Sequence, residues 1–403
     1  MSESVFVGTW TPEDRRADLY RSLEFEVDKE GQEVHVALDY VKGPGQALDL
    51  GLFGPDGFRG WSGSSKKSVV VGPASTTPGY LPGPIPRGRW HVELGLHRIP
   101  PAGLAYEVRV DVVPVGSTPR EGILETPTRV PISAGMRSRS LPALPGHQWL
   151  AGDFHVHSHH SDGTESVHEL ARRATQAGLD FLAVTDFNTV SHLAEVAREN
   201  ERGGIQLLGG QTVALDTGHA VVLGTNSWID LRSEPAEWAA KARSAGCLIS
   251  VNHPVKAAGG WRTPLPFLPD LAEVWNGAWD RHDEAPLAWW LAAGQGVAAI
   301  GGSDWHGPEG TATIGRPVTW VQASGGDVLA GLRAKRTAVS ASLSGPLILR
   351  VRQRLHVLDA EGHELMDWEG RSTFIESSAV SFPALPTPYV LREPNGAVVA
   401  IAN

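Results

Sequence analysis

The most chemically dense stretch of the sequence is Gly152–Gly163, where four histidines and two aspartates lie within twelve residues. The preceding residues 149–156 are mostly apolar and predict a short buried strand, along which alternate side chains point the same way. His155 and His157 would therefore share one face. Two neighbouring imidazoles at the end of a strand favour a divalent metal site, and the alternative is a solvated histidine-rich turn.

Four further candidate residues each follow another apolar run, and they are Asp186, His253, Asp304 and His306. Asp304 and His306 repeat the i, i+2 spacing of the first histidine pair. Side chains at the carboxyl ends of parallel strands converge on one cavity even when they are distant in the chain. The pattern therefore predicts one shared site.

The elements that position these residues begin at residue 149, where short apolar runs alternate with amphipathic runs. Residues 166–178 predict a helix, with Ser166 as N-cap, Glu169 completing a capping box and Gly178 beyond its end. Repeated βα units of this kind indicate an α/β fold with a parallel sheet, either open or closed into a barrel. His159 and His160 fall in the turn after the first strand and are assigned to solvent.

The flanking regions differ in pattern from this unit. Residues 1–115 alternate apolar and polar positions between Gly/Pro turns and predict an N-terminal β-sandwich. Residues 116–148 are rich in proline and predict a linker. Residues 149–340 then form the metal-binding unit, and residues 341–403 return to strand patterning as a small C-terminal β module.

The composition of the chain argues against several kinds of binding partner. The chain has 403 residues and a net charge of −10, which argues against nucleic-acid and anionic-membrane partners because these need clustered Lys and Arg. Its single cysteine, Cys247, lies in an apolar run and is expected in the core. No signal-peptide pattern and no apolar run of spanning length occur, so we expect a cytoplasmic protein with a small-molecule substrate.

Taken in order, the motifs resemble those of the polymerase-and-histidinol-phosphatase (PHP) metallohydrolases. The motifs are His155-Val-His157 with Asp162-Gly163, Thr185-Asp186-Phe187-Asn188, Gly210-Gln211-Thr212 with Gly218-His219, Asn252-His253-Pro254 and Gly302-Ser303-Asp304-Trp305-His306. Residues 77–83 and Glu273–Asn276 are similar to the carbaryl-hydrolase-like (CehA/McbA) branch. The resemblance implies a distorted seven-stranded (β/α) barrel with up to three divalent ions.

The resemblance also implies a set of metal ligands. One ion would take His155, His157, Asp304 and position 211. A second would share position 211 and add His219 and His253, and a third would use Asp162, position 187 and His306.

Two of these positions depart from the family pattern, because Gln211 replaces a bridging glutamate and Phe187 replaces a histidine. A carboxamide adds no charge to offset the repulsion between two cations, and phenylalanine supplies no ligand. We therefore expect one or two ions, of Zn, Mn or Fe, held chiefly by His155, His157 and Asp304. His253, His219 and Gln211 complete the proposed ligand set.

The resemblance implies hydrolysis of a small ester, carbamate or phosphoester by metal-activated water. Asp162 and His306, released from a third ion, would act as acid and base. The residues expected behind the ligands or around the substrate are Asp186, Phe187, Asn188, Asn252, Asn276 and Trp305. Trp275 and Trp279 would add aromatic surface and favour an uncharged substrate.

Two other functions also fit the sequence. The departures at Gln211 and Phe187 fit a catalytically weakened metal-binding or ligand-binding protein that retains the fold. A third reading makes the N-terminal sandwich a carbohydrate-binding module.

Overall fold

A computed structural model describes residues 2–73, 76–116, 140–256, 259–262, 264–277, 284–294 and 296–403. The predicted linker over residues 116–148 lies mostly outside this described part, as does Trp279. None of the described helices is long and apolar enough to cross a membrane.

The N-terminal region consists of two antiparallel sheets that share one core. Its elements are β1 (Ser2–Trp10), α1 (Pro12–Ala17), β2 (Tyr20–Val27), β3 (Gln32–Tyr40), β4 (Ala47–Gly54), β5 (Gly57–Trp61), β6 (Ser68–Val71), β7 (Gly88–Arg98) and β8 (Leu104–Pro114). The sheet orders are β1-β8-β3-β6 and β2-β7-β4-β5. Val36 and Val110 of the first sheet pack with Leu50 and Trp90 of the second. This pairing of faces matches the β-rich region predicted from the alternating pattern.

The middle region carries the candidate residues. Its elements are β9 (His147–Val156), α2 (Val167–Gln176), β10 (Phe181–Val184), α3 (Leu193–Arg202), β11 (Gln206–Leu215), β12 (Gly218–Leu223), α4 (Pro235–Ser244), β13 (Leu248–Val251), β14 (Leu271–Asn276), α5 (Glu284–Ala293), β15 (Ala298–Gly302), β16 (Val318–Ser324), α6 (Val328–Arg333) and β17 (Thr337–Ser340). Helix α2 begins with the expected capping box of Ser166 and Glu169. The βα alternation predicted from residue 149 onward is therefore present.

The sheet of this region is not uniformly parallel. Strands β9, β10 and β11 run parallel, as do β13, β14 and β15, but β12 is antiparallel to both of its neighbours. Only Asp216 and Thr217 separate β11 from β12. A connection of two residues allows only a hairpin, because a parallel crossover needs a dozen or more residues.

The strands β9 to β15 curve until the first and the last meet. The backbone N–H of Asp304 donates to His155 O (2.9 Å), and that of His157 donates to Trp305 O (2.9 Å). Along residues 147–152, however, β9 pairs with β16. The segment that follows β15 therefore meets β9 only at the carboxyl end of β9. Closure of the sheet into a seven-stranded barrel remains a prediction.

The C-terminal strands extend this same sheet. They are β18 (Leu347–Val351), β19 (Arg354–Leu358), β20 (Glu364–Asp367), β21 (Ser372–Phe374), β22 (Ala379–Pro383), β23 (Tyr389–Arg392) and β24 (Val398–Ala402). Strand β24 pairs with β17, giving the order β15-β14-β13-β12-β11-β10-β9-β16-β17-β24-β23-β20-β21, while β18, β19 and β22 form a sheet of their own. The region predicted as a small β module is thus hydrogen-bonded to the central sheet through β24.

Candidate metal centre

The carboxyl end of β9 presents both histidines of the first motif to the interior. Asp153 and Val156 pair with Leu182 and Val184, so three steps along β9 match two along β10. The extra residue is a β-bulge, which re-aims the side chains that follow it. His155 and His157 are both fully buried.

Asp304 lies at the centre of the site. Its Oδ1 is 3.2 Å from His155 Nε2, 3.7 Å from His157 Nε2 and 3.3 Å from His306 Nε2. Lys256 Nζ donates to the other oxygen, Oδ2, at 3.1 Å. These neighbours hold the pKa of Asp304 well below its usual range although burial opposes this, so the group is a carboxylate.

Buried ring nitrogens without hydrogen-bond partners surround this carboxylate. They are His155 Nε2, both nitrogens of His157, His219 Nδ1 and His253 Nδ1. The ring of His253 lies 5.6 Å from that of His155 and 5.1 Å from that of His219, measured between centroids. Buried polar atoms are rarely left unpaired, so this donor set fits a divalent cation.

The protonation of His219 and His253 also fits ligation. Burial, followed by the neighbouring imidazole, lowers the pKa of His219 to about 3. Burial lowers the pKa of His253 to about 4 although Glu273 opposes the shift. Both rings are neutral at neutral pH, the form in which imidazole binds metals.

Glu273, which the sequence placed in the family-like stretch Glu273–Asn276 without a role of its own, holds two of the site histidines. Its Oε1 accepts from His155 Nδ1 at 2.8 Å, and its Oε2 accepts from the backbone N–H of His253 at 2.9 Å. Asn276 Nδ2 donates to the same Oε2 at 3.1 Å. A carboxylate on Nδ1 fixes the ring and leaves Nε2 for a metal. A lone glutamate within the apolar run 271–275 was the available signal.

Gln211, expected from the resemblance as a ligand, is hydrogen-bonded to the backbone of Ile229. Its Nε2 donates to Ile229 O (2.8 Å) and its Oε1 accepts from Ile229 N–H (2.9 Å). Gln211 lies on the same face of β11 as Val213, which packs in the outer core with Trp238. The carboxamide is therefore committed to the backbone on the face away from the histidines.

Phe187 lies among the histidines at the position where the family pattern has a ligand. Its ring stacks on His157 with centroids 4.3 Å apart, and it meets His219 edge-on at 5.3 Å. It supplies an apolar wall to the site and no ligand atom.

Asp162 and His306 lie together at the mouth of the site. Asp162 Oδ1 accepts from His306 Nδ1 at 3.1 Å, and their side chains are 43% and 38% exposed. Burial opposes the charge on His306, but Asp162 and Asp304 outweigh it and raise its pKa to about 10. The two residues predicted as acid and base thus form an ion pair.

The remaining predicted pocket residues lie in three different places. Asn252 Nδ2 is 3.0 Å from His155 Nδ1, and Asn276 lies behind Glu273 as described above. Asp186 is fully buried beneath the loop that follows β9. Asn188 Oδ1 accepts from Ala214 N–H and positions β11.

Trp305 and His160 lie in other surroundings than the sequence predicts. Trp305 follows β15 and is bridged to Val156 of β9, and both side chains pack in the same core cluster. The Trp305 Nε1 donates to Glu165, and Arg173 lies over its ring. His160 is only 6% exposed, because the sandwich loop at Gly79 covers it.

The backbone is strained at the ends of the strands that carry the site. Asn188, His253 and Asp304 have φ values of 54°, 32° and 58°. Side chains other than glycine rarely adopt this left-handed region, and such residues cluster at functional sites.

Two known proteins are similar in sequence to parts of this chain. The chain is 32% identical over 187 residues to tRNA(Ile)-lysidine synthase of Deinococcus deserti, covering 44% of this chain and 32% of that protein. It is 37% identical over 62 residues to phosphoribosyl 1,2-cyclic phosphate 1,2-diphosphodiesterase of Eggerthella lenta, covering 15% and 24%. The chain thus spans a third or less of these relatives.

One similar solved structure is a two-domain protein of Bacteroides vulgatus that contains a predicted PHP-like metal-dependent phosphoesterase. The TM-score is 0.42 at 20% identity, covering 66% of this chain and 89% of that one.

Residues 153–246 match the family model described as the PHP domain. This stretch contains the first histidine pair, Asp162, Phe187, Gln211 and His219, while His253, Asp304 and His306 follow it. Residues 153–246 are therefore similar in sequence to the PHP domain family.

Proposed function

We propose that the chain is a metal-dependent hydrolase that uses metal-activated water on a small ester, carbamate or phosphoester. The observation that carries this proposal is the convergence of His155 Nε2 and His157 Nε2 on Asp304 Oδ1, at 3.2 and 3.7 Å. Carboxylate and imidazole ligands with unpaired buried nitrogens suit one or two divalent ions. His253 and His219 would complete the ligand set.

A divalent ion bound there would lower the pKa of a water molecule and polarise the carbonyl or phosphoryl oxygen of the substrate. The protein's own part begins with Glu273, which holds His155 through its Nδ1 and so fixes the direction of Nε2. Asn276 and the His253 N–H hold Glu273 in turn. The ligands are thus positioned before a substrate arrives.

Asp162 and His306 are placed to handle the leaving group. They lie at the exposed mouth, linked by a 3.1 Å hydrogen bond, and His306 Nε2 also reaches Asp304. From there His306 could donate a proton to a departing oxygen while Asp162 holds the ring.

The substrate class follows from the wall of the site. Phe187 covers one side of His157 with an aromatic ring, which favours an uncharged acyl or carbamoyl group over a bare phosphate. This preference is the one implied by the carbaryl-hydrolase-like branch. Lys256, beside Asp304, is the nearby cation that would contact an anionic substrate instead.

The second candidate function is a weakened metal-binding or ligand-binding protein. Gln211 is turned to the Ile229 backbone and Phe187 replaces a ligand, so two positions of the family pattern hold no metal. This alternative predicts metal uptake without turnover.

A substrate panel tests the two candidates. Chelator-stripped protein would be reconstituted with zinc or manganese and assayed on an aryl ester, an aryl carbamate and an aryl phosphate. Hydrolysis is expected in the wild type and in His168→Ala, a change on the outer helix α2, and should be lost in His157→Ala. Hydrolysis retained in His157→Ala would refute the metal mechanism, whereas metal uptake without hydrolysis of any substrate would favour the binding protein.

A further inference from the structure

A second cluster of ligand-type side chains lies outside the centre described above. His159 and His160 belong to the loop after β9, and Glu195 lies in the first turn of α3. One ligand atom from each of the three lies within 4.8 Å of the others.

The imidazoles of this cluster contain buried nitrogens with no hydrogen-bond partner. His160 is 6% exposed, and neither its Nε2 nor the Nε2 of His159 makes a hydrogen bond. Glu195 is 22% exposed on its side chain, so the cluster can be reached from solvent.

The Nδ1 of His160 is already occupied, which leaves its Nε2 facing Glu195. Nδ1 lies 2.7 Å from Ser191 Oγ and 3.4 Å from the backbone nitrogen of Gly79. The other ring nitrogen, Nε2, is 3.3 Å from Glu195 Oε1. A proton on Nε2 can link these two atoms, and a divalent cation can take the place of that proton because neutral imidazole and carboxylate are both metal ligands.

We propose that His159, His160 and Glu195 bind a second divalent cation of the zinc class, with water in the fourth position. Two ligands of a tetrahedral zinc are roughly 3.4 Å apart, because each lies about 2.1 Å from the ion. The gap between His160 and Glu195 already has this size, and the His159 ring, centred 4.9 Å from that of His160, closes the third side. Ser191 Oγ, 2.7 Å from His160 Nδ1, is the outer partner that orients the His160 ring.

The charges around the cluster support a cation. Asp186 is fully buried close by, accepting from Ser158 and Ser161, and adds a negative charge to that of Glu195. Among the opposing cations, the exposed Arg198 lies 3.7 Å from Glu195 Oε1. The Lys66 ammonium donates to the backbone carbonyls of His159 and Ser161 and not to the ring nitrogens.

An ion at this place would join the loop after β9 to helix α3. The same loop carries Asp162 to the mouth of the first centre, and the sandwich loop at Gly79 donates to Ser191. The second ion would therefore stabilise the loop that shapes the first site. This inference does not depend on the proposed hydrolase activity.

Zinc stoichiometry of the full chain tests the site. Chelator-stripped wild type and variants would be titrated with zinc alone, with bound metal measured by elemental analysis and the gain in melting temperature recorded. Glu195→Gln and His159→Ala should each bind one equivalent fewer than the wild type and gain less in melting temperature. The matched controls are Glu199→Gln on the same helix and His168→Ala, which pair with each other and should behave as wild type.

A second background separates this site from the first. Asp304→Asn should abolish zinc binding at the first centre and keep the second equivalent, which Glu195→Gln then removes in the double variant. The proposal is overturned if Glu195→Gln binds as much zinc as the wild type, or if Asp304→Asn alone removes all zinc. Circular dichroism of each stripped variant shows that lost zinc does not reflect lost fold.

Discussion

At the scale of single residues, Asp304 carries the central negative charge of the candidate metal centre. It is 7% exposed and surrounded by three imidazoles and the Lys256 ammonium. Burying an unpaired carboxylate costs free energy, so the positively polarised groups around Asp304 are needed to keep it buried as an ion. A divalent cation would supply the pairing charge more compactly than Lys256 does.

Glu273→Gln tests whether the contact of Glu273 with His155 Nδ1 positions the His155 ring for metal binding. The amide can still occupy the space, but it no longer offers a charged acceptor to His155 Nδ1. Such outer partners typically contribute about 10- to 100-fold to metal affinity, and we expect a loss of that order. Competition with a metal-binding dye measures it. Glu33→Gln, a buried change in the sandwich, should leave affinity unchanged, and equal affinity of both variants would contradict the role.

Gln211→Glu separates the observed geometry from the family pattern. If residue 211 faced the metal, restoring the carboxylate would tighten metal binding. In the structure the new oxygen would instead oppose Ile229 O, 2.8 Å from the present Nε2. We expect a loss of about 1–3 kcal/mol or more in unfolding free energy, and no gain in metal affinity. Urea titration measures the loss, with the exposed Gln206→Glu on the same strand as control.

At the scale of elements, two β-bulges aim the site. In β9, Phe154 packs into the interior core and Val156 into the outer core, so His155 and His157 lie on the interior side only because of the extra residue. In β14 the register shifts between Glu273 and Trp275. A bulge turns the following side chains to the other face, as a register slip would.

Gly302→Ala tests the meeting of β15 with β9. A Cβ at Gly302 would lie 2.4 Å from His155 Cβ and 2.9 Å from Glu273 Oε1. Relief of this overlap must move His155, so we expect weaker metal binding and a loss of about 1–3 kcal/mol in stability. Gly45→Ala, where a Cβ meets nothing within 4 Å, is the control. Unchanged metal affinity in Gly302→Ala would show that this contact does not position the ligand.

At the scale of the whole molecule, the sandwich and the middle region share a core. Phe53 and Trp61 of the sandwich pack with Val222 and Trp238 of the middle region. Beside this core, His97 at the end of β7 donates to Asp49 (2.9 Å) and to Asp216 (2.7 Å) in the β11–β12 turn. Arg15 also pairs with Asp216. The sandwich thus supports the hairpin that carries His219.

This ion-pair cluster predicts a pH dependence of stability. Burial opposes the charge on His97, but Asp49 and Asp216 outweigh it and raise the pKa to about 10, from 6.5 in the unfolded chain. A raised folded pKa contributes stability that is complete below pH 6.5 and is lost as the pH rises toward 10. The melting temperature of the wild type should therefore exceed that of His97→Asn most at pH 6 and converge with it near pH 10. A constant difference across this range would contradict the assignment.

The sequence by itself determined most of the chemistry. The i, i+2 pairs at His155 and Asp304, the histidine at 253 and the βα alternation were enough to predict one convergent metal site, because residue type and strand period are local properties. The alternating pattern of residues 1–115 likewise predicted the β-rich N-terminal region. These inferences needed no knowledge of register.

Only the tertiary structure decided which side chains face the site. The family resemblance places Gln211 at the metal, whereas the paired strands turn it away. A strict period of two also misses the bulge in β9 and the antiparallel β12, since bulges and two-residue hairpins arise from pairing between strands. Glu273 and His160 have contacts with residues 118 and 31 positions away, His155 and Ser191. Contacts over such separations are set by packing and by the burial of charge, and neither is a property of any one segment.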